Sequence, residues 1–198
     1  MSGPSQSAPQ GGGELHSLKW LPPKDVKPAP QVNDYAPSSS KLSFPTGKLT
    51  IVAFLRHCGC PFAEKTFRAL TAVSDAHKDI QCIAVSHSSE EATERWVPQV
   101  GGSWNVEVVV DEDRDLYAQW GLGPSSAWAT MGPSVLWSVY KLGTGEGIWN
   151  RPTQSGSRWQ TGGAFAVNRF GKVVYSHVDK SADDMPNFDE VLEALAKN

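Results

Sequence analysis

The sequence predicts an α/β domain: a central mixed sheet flanked by helices, with a tryptophan-rich insert before a C-terminal hairpin. Three observations predict it. Short continuous apolar runs, "LTIVAFL", "IQCIAVS" and "VEVVV", recur along the chain, and such runs suit strands buried on both faces. Segments with helical periodicity and capping residues separate them. Near the C-terminus two further strand-like runs flank Asn168-Arg169-Phe170-Gly171, which reads as the turn of a hairpin.

Length and composition bound the rest. The 198 residues fit one domain with tails, and a core of that size needs no disulfide staple. A formal charge of −3 makes no electrostatic case for nucleic acid or an anionic membrane. Three cysteines are too few, and odd in number, for a secreted disulfide framework. The N-terminal "MSGPSQSAPQGGGELHS" does not read as a secretory signal, and no apolar run approaches a membrane span. The expectation is a soluble, cytoplasmic protein, since free thiols survive in a reducing compartment.

Taken in order, residues 1–28 are rich in Ser, Pro and Gly without periodicity and read as a disordered tail. The domain then spans 29–198. Residues 29–48 form an irregular lead-in to the first strand, Leu49–Leu55. Pro61 suits the first turn of a helix, where its missing N–H would be unpaired anyway. Phe62, Thr66, Ala69, Leu70 and Val73 make that helix's apolar stripe. Ile80–Ser86 is the second strand. Ser88 with Glu91 three residues on reads as a capping box opening the next helix. Val106–Val110 is the third strand, and a helix follows from near Asp111 to Gly121. After the insert come Gly163–Asn168 and Lys172–Val178, then an amphipathic helix over "PNFDEVLEALAKN". Strands separated by helices should pair in parallel through right-handed crossovers, with the hairpin as an antiparallel edge. This is a thioredoxin-like pattern in its peroxiredoxin-like elaboration.

Chemistry concentrates in "VAFLRHCGCPFAEK", Val52 to Lys65. Two cysteines fall between the end of the first strand and the start of a helix. A helix start presents unpaired N–H groups and a partial positive charge, which favour the thiolate, the nucleophilic form. Cys60 stands at the N-cap, immediately before Pro61; Cys58 lies one step outside. Arg56 and His57 could add positive charge. Plain packing is the competing reading for a cysteine at such a junction. His57-Cys58-x-Cys60 also offers soft ligands, but the spacing is not a standard zinc pattern and a fourth ligand is missing locally. The expectation is a site without metal or cofactor. Cys82, inside an apolar run, reads as a core residue, and His87 and His177 as ordinary satisfied histidines.

The segment "FLRHCGCPFAEK" resembles the "FLRHxGCPFC" segment of AhpC/TSA-type peroxiredoxin-like proteins, the peroxiredoxin-like 2 group. "IAVSHSSEEATERW", "DEDRDLYAQWGLG", "GGAFAVNRFGKVVYSH" and "KSADD" continue the likeness in order. "EGIWNRPTQSGSRWQTGGAFAVN" is similar to uncharacterised fungal thioredoxin-like members. The resemblance implies a redox-active cysteine, Cys60, and antioxidant oxidoreductase chemistry on a peroxide or a thiol/disulfide substrate. The group's second cysteine is replaced here by Ala63, so exchange across Cys-x-x-Cys is impossible. The Pro-x-x-x-Thr-x-x-Cys signature of true peroxiredoxins is also missing: Ala53 and His57 stand where Pro and Thr should be. A thioredoxin's cis-proline before the hairpin is replaced by Thr161-Gly162-Gly163.

The insert, residues 122–161, is long for a connection. "PSVLWSVYKLG" could form a short apolar helix. With Trp128, Trp137, Trp149 and Trp159 it could wall a pocket near the thiol, joined by Pro61, Phe62, Gly162 and Gly163. The competing reading, which the need to bury apolar insert residues favours, is that these aromatics cover the sheet or form a homodimer contact. Two functions stay open at this point. One is a thiol oxidoreductase in which Cys60 is resolved by Cys58 or by an external thiol reductant. The other is a thioredoxin-fold binding or biosynthetic protein without peroxidase activity.

Overall fold

The computed structural model describes residues 17–197. Five strands, β1 (Leu49–Phe54), β2 (Ile80–Ser86), β3 (Glu107–Val110), β4 (Gly163–Val167) and β5 (Val173–Val178), form one sheet in the order β3-β2-β1-β4-β5. β1 is central. It pairs in parallel with β2, Ile51 opposite Cys82, and antiparallel with β4, Ala53 opposite Ala164. β3 adds in parallel and β5 antiparallel. The expected sheet is therefore the observed one. The apolar runs of β1 and β2 follow from burial on both faces; β3, expected to be buried likewise, is an edge strand and only partly buried, because one side of it has no neighbouring strand.

Side chains alternate across a strand, so β1 feeds two cores. Ile51 and Ala53 face the layer holding Phe67, Leu70, Trp96, Val191 and Leu195. Val52 and Phe54 face Leu116, Tyr117, Trp120 and Phe165. The first layer is built on α1 (Pro61–Ala76), α2 (Glu90–Gln99) and α6 (Phe188–Ala196); the second on the short α3 (Asp115–Gln119). The insert contains α4 (Ala127–Met131) and α5 (Pro133–Glu146). Among the described residues, no helix is long and apolar enough to cross a membrane.

Three local expectations are corrected. The buried stripe of α1 runs through Phe62, Ala63, Phe67, Leu70 and Val73, so Phe67 takes the place expected for Thr66 and Ala69. The cap of α2 is Ser89, whose side chain accepts the Ala92 N–H. Ser88 is thereby freed, and its hydroxyl accepts the Cys58 N–H at 3.0 Å. The helix expected from Asp111 starts only at Asp115, because Arg114 adopts a left-handed φ of 62°. Asp111 instead turns its carboxylate on the Leu116 N–H at 2.8 Å.

Of the expected tail, residues 1–16 lie outside the described residues. Residues 17–28 do not stand apart from the domain. Trp20 stacks on Trp159 with ring centroids 4.7 Å apart, and the Trp159 indole N–H donates to the Leu18 carbonyl at 2.8 Å. Lys24 pairs with Asp115, and the Lys27 N–H reaches the Ala118 carbonyl at 2.9 Å. The composition of this stretch argued for disorder; two tryptophans provide the apolar contact that composition alone understates.

Candidate active site

The site lies at the carboxyl end of β1. Tyr117 holds that end in place: its hydroxyl meets the carbonyls of Leu55 at 2.6 Å and Val85 at 2.8 Å. From there the chain turns through Arg56, His57, Cys58 and Gly59 to Cys60, the N-cap of α1. Gly59 is required by close approach. It has φ 121°, and a Cβ there would sit 2.5 Å from the Arg151 carbonyl oxygen. The same residues pair as backbone, Arg151 N–H to Gly59 carbonyl at 2.9 Å. Glu64, buried in the first turn of α1, fixes this cover: it accepts Arg151 Nε at 2.7 Å and Nη2 at 3.1 Å, and Arg68 at 2.5 Å.

The two cysteines are free thiols and both are buried, yet they open into different spaces. Cys60 lines a cavity of about 190 Å³ with Arg56, His57, Pro61, Phe62, Thr130, Met131, Val135, Leu136, Val139, Asn150, Arg158 and Ala182. Cys58 borders a separate cavity of about 130 Å³, together with Trp96, Arg95, Gln99 and Thr153. Its sulfur lies 3.7 Å from the Ser86 hydroxyl and 3.8 Å from that of Thr93. Burial pushes the Cys58 thiol up, against the hydrogen bonds from Ser88, Ser86 and Thr93 that favour the thiolate. Cys58 is therefore a protonated thiol at neutral pH. Cys82 sits in β2, and burial pushes it up to about 11, as a core cysteine should be.

Charge at the Cys60 cavity comes from arginine. Burial lowers His57 well below the usual histidine range, with the charges of Arg56 and then His87 and Arg158 acting in the same direction. His57 is therefore neutral and cannot supply the positive charge that its position beside Cys60 suggested. Arg56 is buried and donates an Nη2 bond to the Arg158 carbonyl. Arg158 spans the cavity edge, bonding Ser17 through Nη2 at 2.9 Å and the Met131 sulfur through Nη1 at 3.7 Å. His87, beneath His57, is held neutral as well: burial takes it down to about 4, and its Nε2 accepts the Ser157 N–H at 3.1 Å.

The insert does wall the thiol cavity, but with Val135, Leu136, Val139 and Met131 rather than with tryptophans. Trp137 is 59 % exposed and stacks on Tyr140. Trp159 is buried under Trp20, away from the cavity lining. Trp128 and Trp149 are exposed. Helical periodicity explains the exchange: buried Val135 and Leu142, with partly buried Val139, form the inward stripe of α5, and Trp137 falls on the opposite side. Gly162 and Gly163 also lie off the cavity, where β4 meets β5. A Cβ on Gly162 would sit 2.6 Å from an Asp179 carboxylate oxygen, and one on Gly163 2.5 Å from the His177 carbonyl. The residues missed were Arg158, Arg151 and Asp179. No local motif marks them; all three are more than 80 positions from the cysteines, and only the fold brings them there.

A thiol at a helix start, beside two guanidinium groups in a walled cavity, is an arrangement shared by many thiol enzymes. Comparison with known proteins narrows it. The AhpC/TSA antioxidant enzyme family matches residues 67–181, more than half of the chain. The chain belongs to that family. The matched region begins within α1, after both loop cysteines, so membership alone does not say which thiol reacts. No curated protein matches the sequence. Among solved structures, the chain is similar to a peroxiredoxin-like protein from Aquifex aeolicus, at 16 % identity and TM-score 0.58, covering 87 % of this chain and 90 % of that one. It is similar to a thiol peroxidase from Chromobacterium violaceum, at 15 % identity, TM-score 0.59 and the same two coverages. Peroxiredoxin 6 of Arenicola marina aligns at 14 % identity and TM-score 0.60, over 84 % of this chain and 72 % of that one. At these identities the likeness establishes the fold: a thioredoxin-like peroxiredoxin fold with a mixed five-stranded sheet. Family membership makes this AhpC/TSA protein a thiol-dependent, peroxiredoxin-like oxidoreductase, with peroxide or thiol substrates.

Proposed function

We propose that Cys60 is the nucleophile and that it works as a single peroxidatic cysteine reduced by an external thiol. The observation that carries this is the shared cavity: Cys60 opens into it with Arg56, His57 and Arg158, while Cys58 faces elsewhere. The Cys60 sulfur attacks one peroxide oxygen. An S–O bond forms and the O–O bond breaks; the departing oxygen takes a proton and leaves as water or an alcohol. The Cys60 thiol gives up one proton and the leaving oxygen needs one, and neutral His57 on the same cavity can carry it between them. Arg56 and Arg158 stabilise the negative charge that moves from sulfur to the leaving oxygen. Cys60 becomes a sulfenic acid. An external thiol then condenses with it, forming a disulfide and releasing water, and a second thiol exchanges to free Cys60. Cys58, turned away and protonated, is not the resolving group. A cytoplasmic location, where small thiols are plentiful, fits this cycle. A homodimer through the exposed aromatic side of α5 completes the reading, and a sedimentation mass equal to one chain at every concentration would oppose that part.

The test is to treat the protein with one equivalent of peroxide, trap with dimedone and map the adduct by mass spectrometry. The adduct is expected on Cys60. An adduct on Cys58 with Cys60 unmodified would overturn the assignment.

A further inference from the structure

Among the described residues, the Arg56 side chain makes one hydrogen bond, and it borders a void that a buried carboxylate also lines. Its Nη2 is taken by the Arg158 carbonyl, but its Nε–H is buried with no partner among the described residues. Asp179, at the end of β5, carries the complementary defect: its Oδ1 is buried and makes no hydrogen bond. His177 Nε2 pairs with that oxygen only at 3.5 Å, and this nitrogen is shared with the Asp184 carbonyl at 3.1 Å, so Asp179 keeps room for a further partner. Arg56 and Asp179 line the same void of about 10 Å³, with Phe62, Ala63 and Gly163. A void of that size holds about one water, given polar partners. Two buried groups of opposite charge, each one bond short, border it. Gly162 lets the two groups come close: a Cβ there would lie 2.6 Å from Asp179 Oδ2 and 3.5 Å from Arg56 Cγ.

We propose that Asp179 is a positioning residue for Arg56, joined to its Nε–H through one water in this void. Arg56 is then gripped at both ends, by the Arg158 carbonyl and by Asp179, and its guanidinium plane is fixed toward the Cys60 cavity. Burial raises the Asp179 carboxyl, and His177 and the Arg56 charge pull it back, so its charged form depends on these partners. The catalytic consequence rests on the assignment of Cys60; the geometry of Arg56 does not.

The experiment reads the Arg56 Nε–H signal by nitrogen-15 NMR, assigned through its disappearance in R56K. In the wild-type protein the signal should be protected from exchange; in D179A it should be lost. Peroxide turnover, as kcat/KM, should fall about tenfold in D179A and D179N, the loss expected from a slightly misplaced catalytic group. The Cys60 alkylation profile should move to higher pH in both, a shift that a purely structural role would not cause. D179N keeps the shape of the side chain and serves if D179A does not fold. An unchanged Arg56 signal in a folded variant would overturn the proposal whatever Cys60 does. Loss of the signal with activity retained in C60S would instead refute the Cys60 reading and leave the Arg56–Asp179 link standing.

Discussion

Cys58 and Cys60 differ by a single residue in the chain, and their exposure does not separate them: 4 % for one and 6 % for the other. Their surroundings do. Cys58 is wrapped by neutral hydroxyls from β2 and α2, with the Ser88 hydroxyl on its N–H and Ser86 and Thr93 about its sulfur. Cys60 caps α1 and looks into a cavity bordered by two guanidinium groups. The hydroxyl bonds favour the Cys58 thiolate, but burial outweighs them; positive charge and a helix start are the stronger aids to a thiolate. One residue of backbone, with Gly59 at φ 121° between them, turns the two side chains toward different chemistry.

The largest effect that could break this contrast is loss of activity. Cys60→Ser should abolish peroxide or thiol-exchange turnover, whereas Cys58→Ser should leave it within about twofold, because a protonated thiol outside the cavity takes no part in attack. Steady-state assays with a small thiol as reductant check both. Equal losses in the two variants would return Cys58 to the cycle as the resolving thiol.

A second effect concerns the neutral histidines beneath the site. Burial lowers the His87 pKa to about 4 from the usual histidine value near 6.5, so as the pH falls the unfolded chain binds a proton there before the folded one does. Stability should be level above pH 6.5 and fall as the pH drops from 6.5 toward 4. The drop for this group alone is of order 3 kcal/mol. Urea denaturation across that range should show the slope, and His87→Gln should reduce it, leaving the part that buried His57 contributes.

A smaller change would sharpen the comparison directly. Arg151 holds the segment that covers the cysteine loop, through Glu64 and the Gly59 carbonyl, and the adjoining Pro152 and Thr153 line the Cys58 cavity. Arg151→Ala should cost about 1–2 kcal/mol, since Arg151 is partly exposed and its side-chain pair is partly screened. It should speed alkylation of Cys58 more than that of Cys60. Equal acceleration at both would mean the cover belongs to neither cavity in particular.

Much of this was legible in the sequence because it depends on local pattern. Buried strands announce themselves as apolar runs, and the Cys-Pro step marks the start of α1. Other features could not be read locally. Ser88 looked like a cap because Ser88 and Ser89 are equivalent to any pattern; the register of α2 decides which one caps, and the other goes to Cys58. His57 looked like a source of charge because sequence shows adjacency and not burial. The tryptophans looked like pocket walls because size suggests the core, but the phase of α5 places Trp137 outward. Arg158 and Asp179 reach the site through tertiary structure alone.

The central claim is that Cys60, and not Cys58, is the reactive thiol. Its most direct test is the rate of iodoacetamide labelling at each cysteine in the folded protein between pH 5 and 9, read by mass spectrometry. Cys60 should label first, its labelling should be blocked by prior peroxide, and Cys58 and Cys82 should stay slow throughout. Faster labelling of Cys58 at neutral pH, with Cys60 inert to peroxide, would contradict the account.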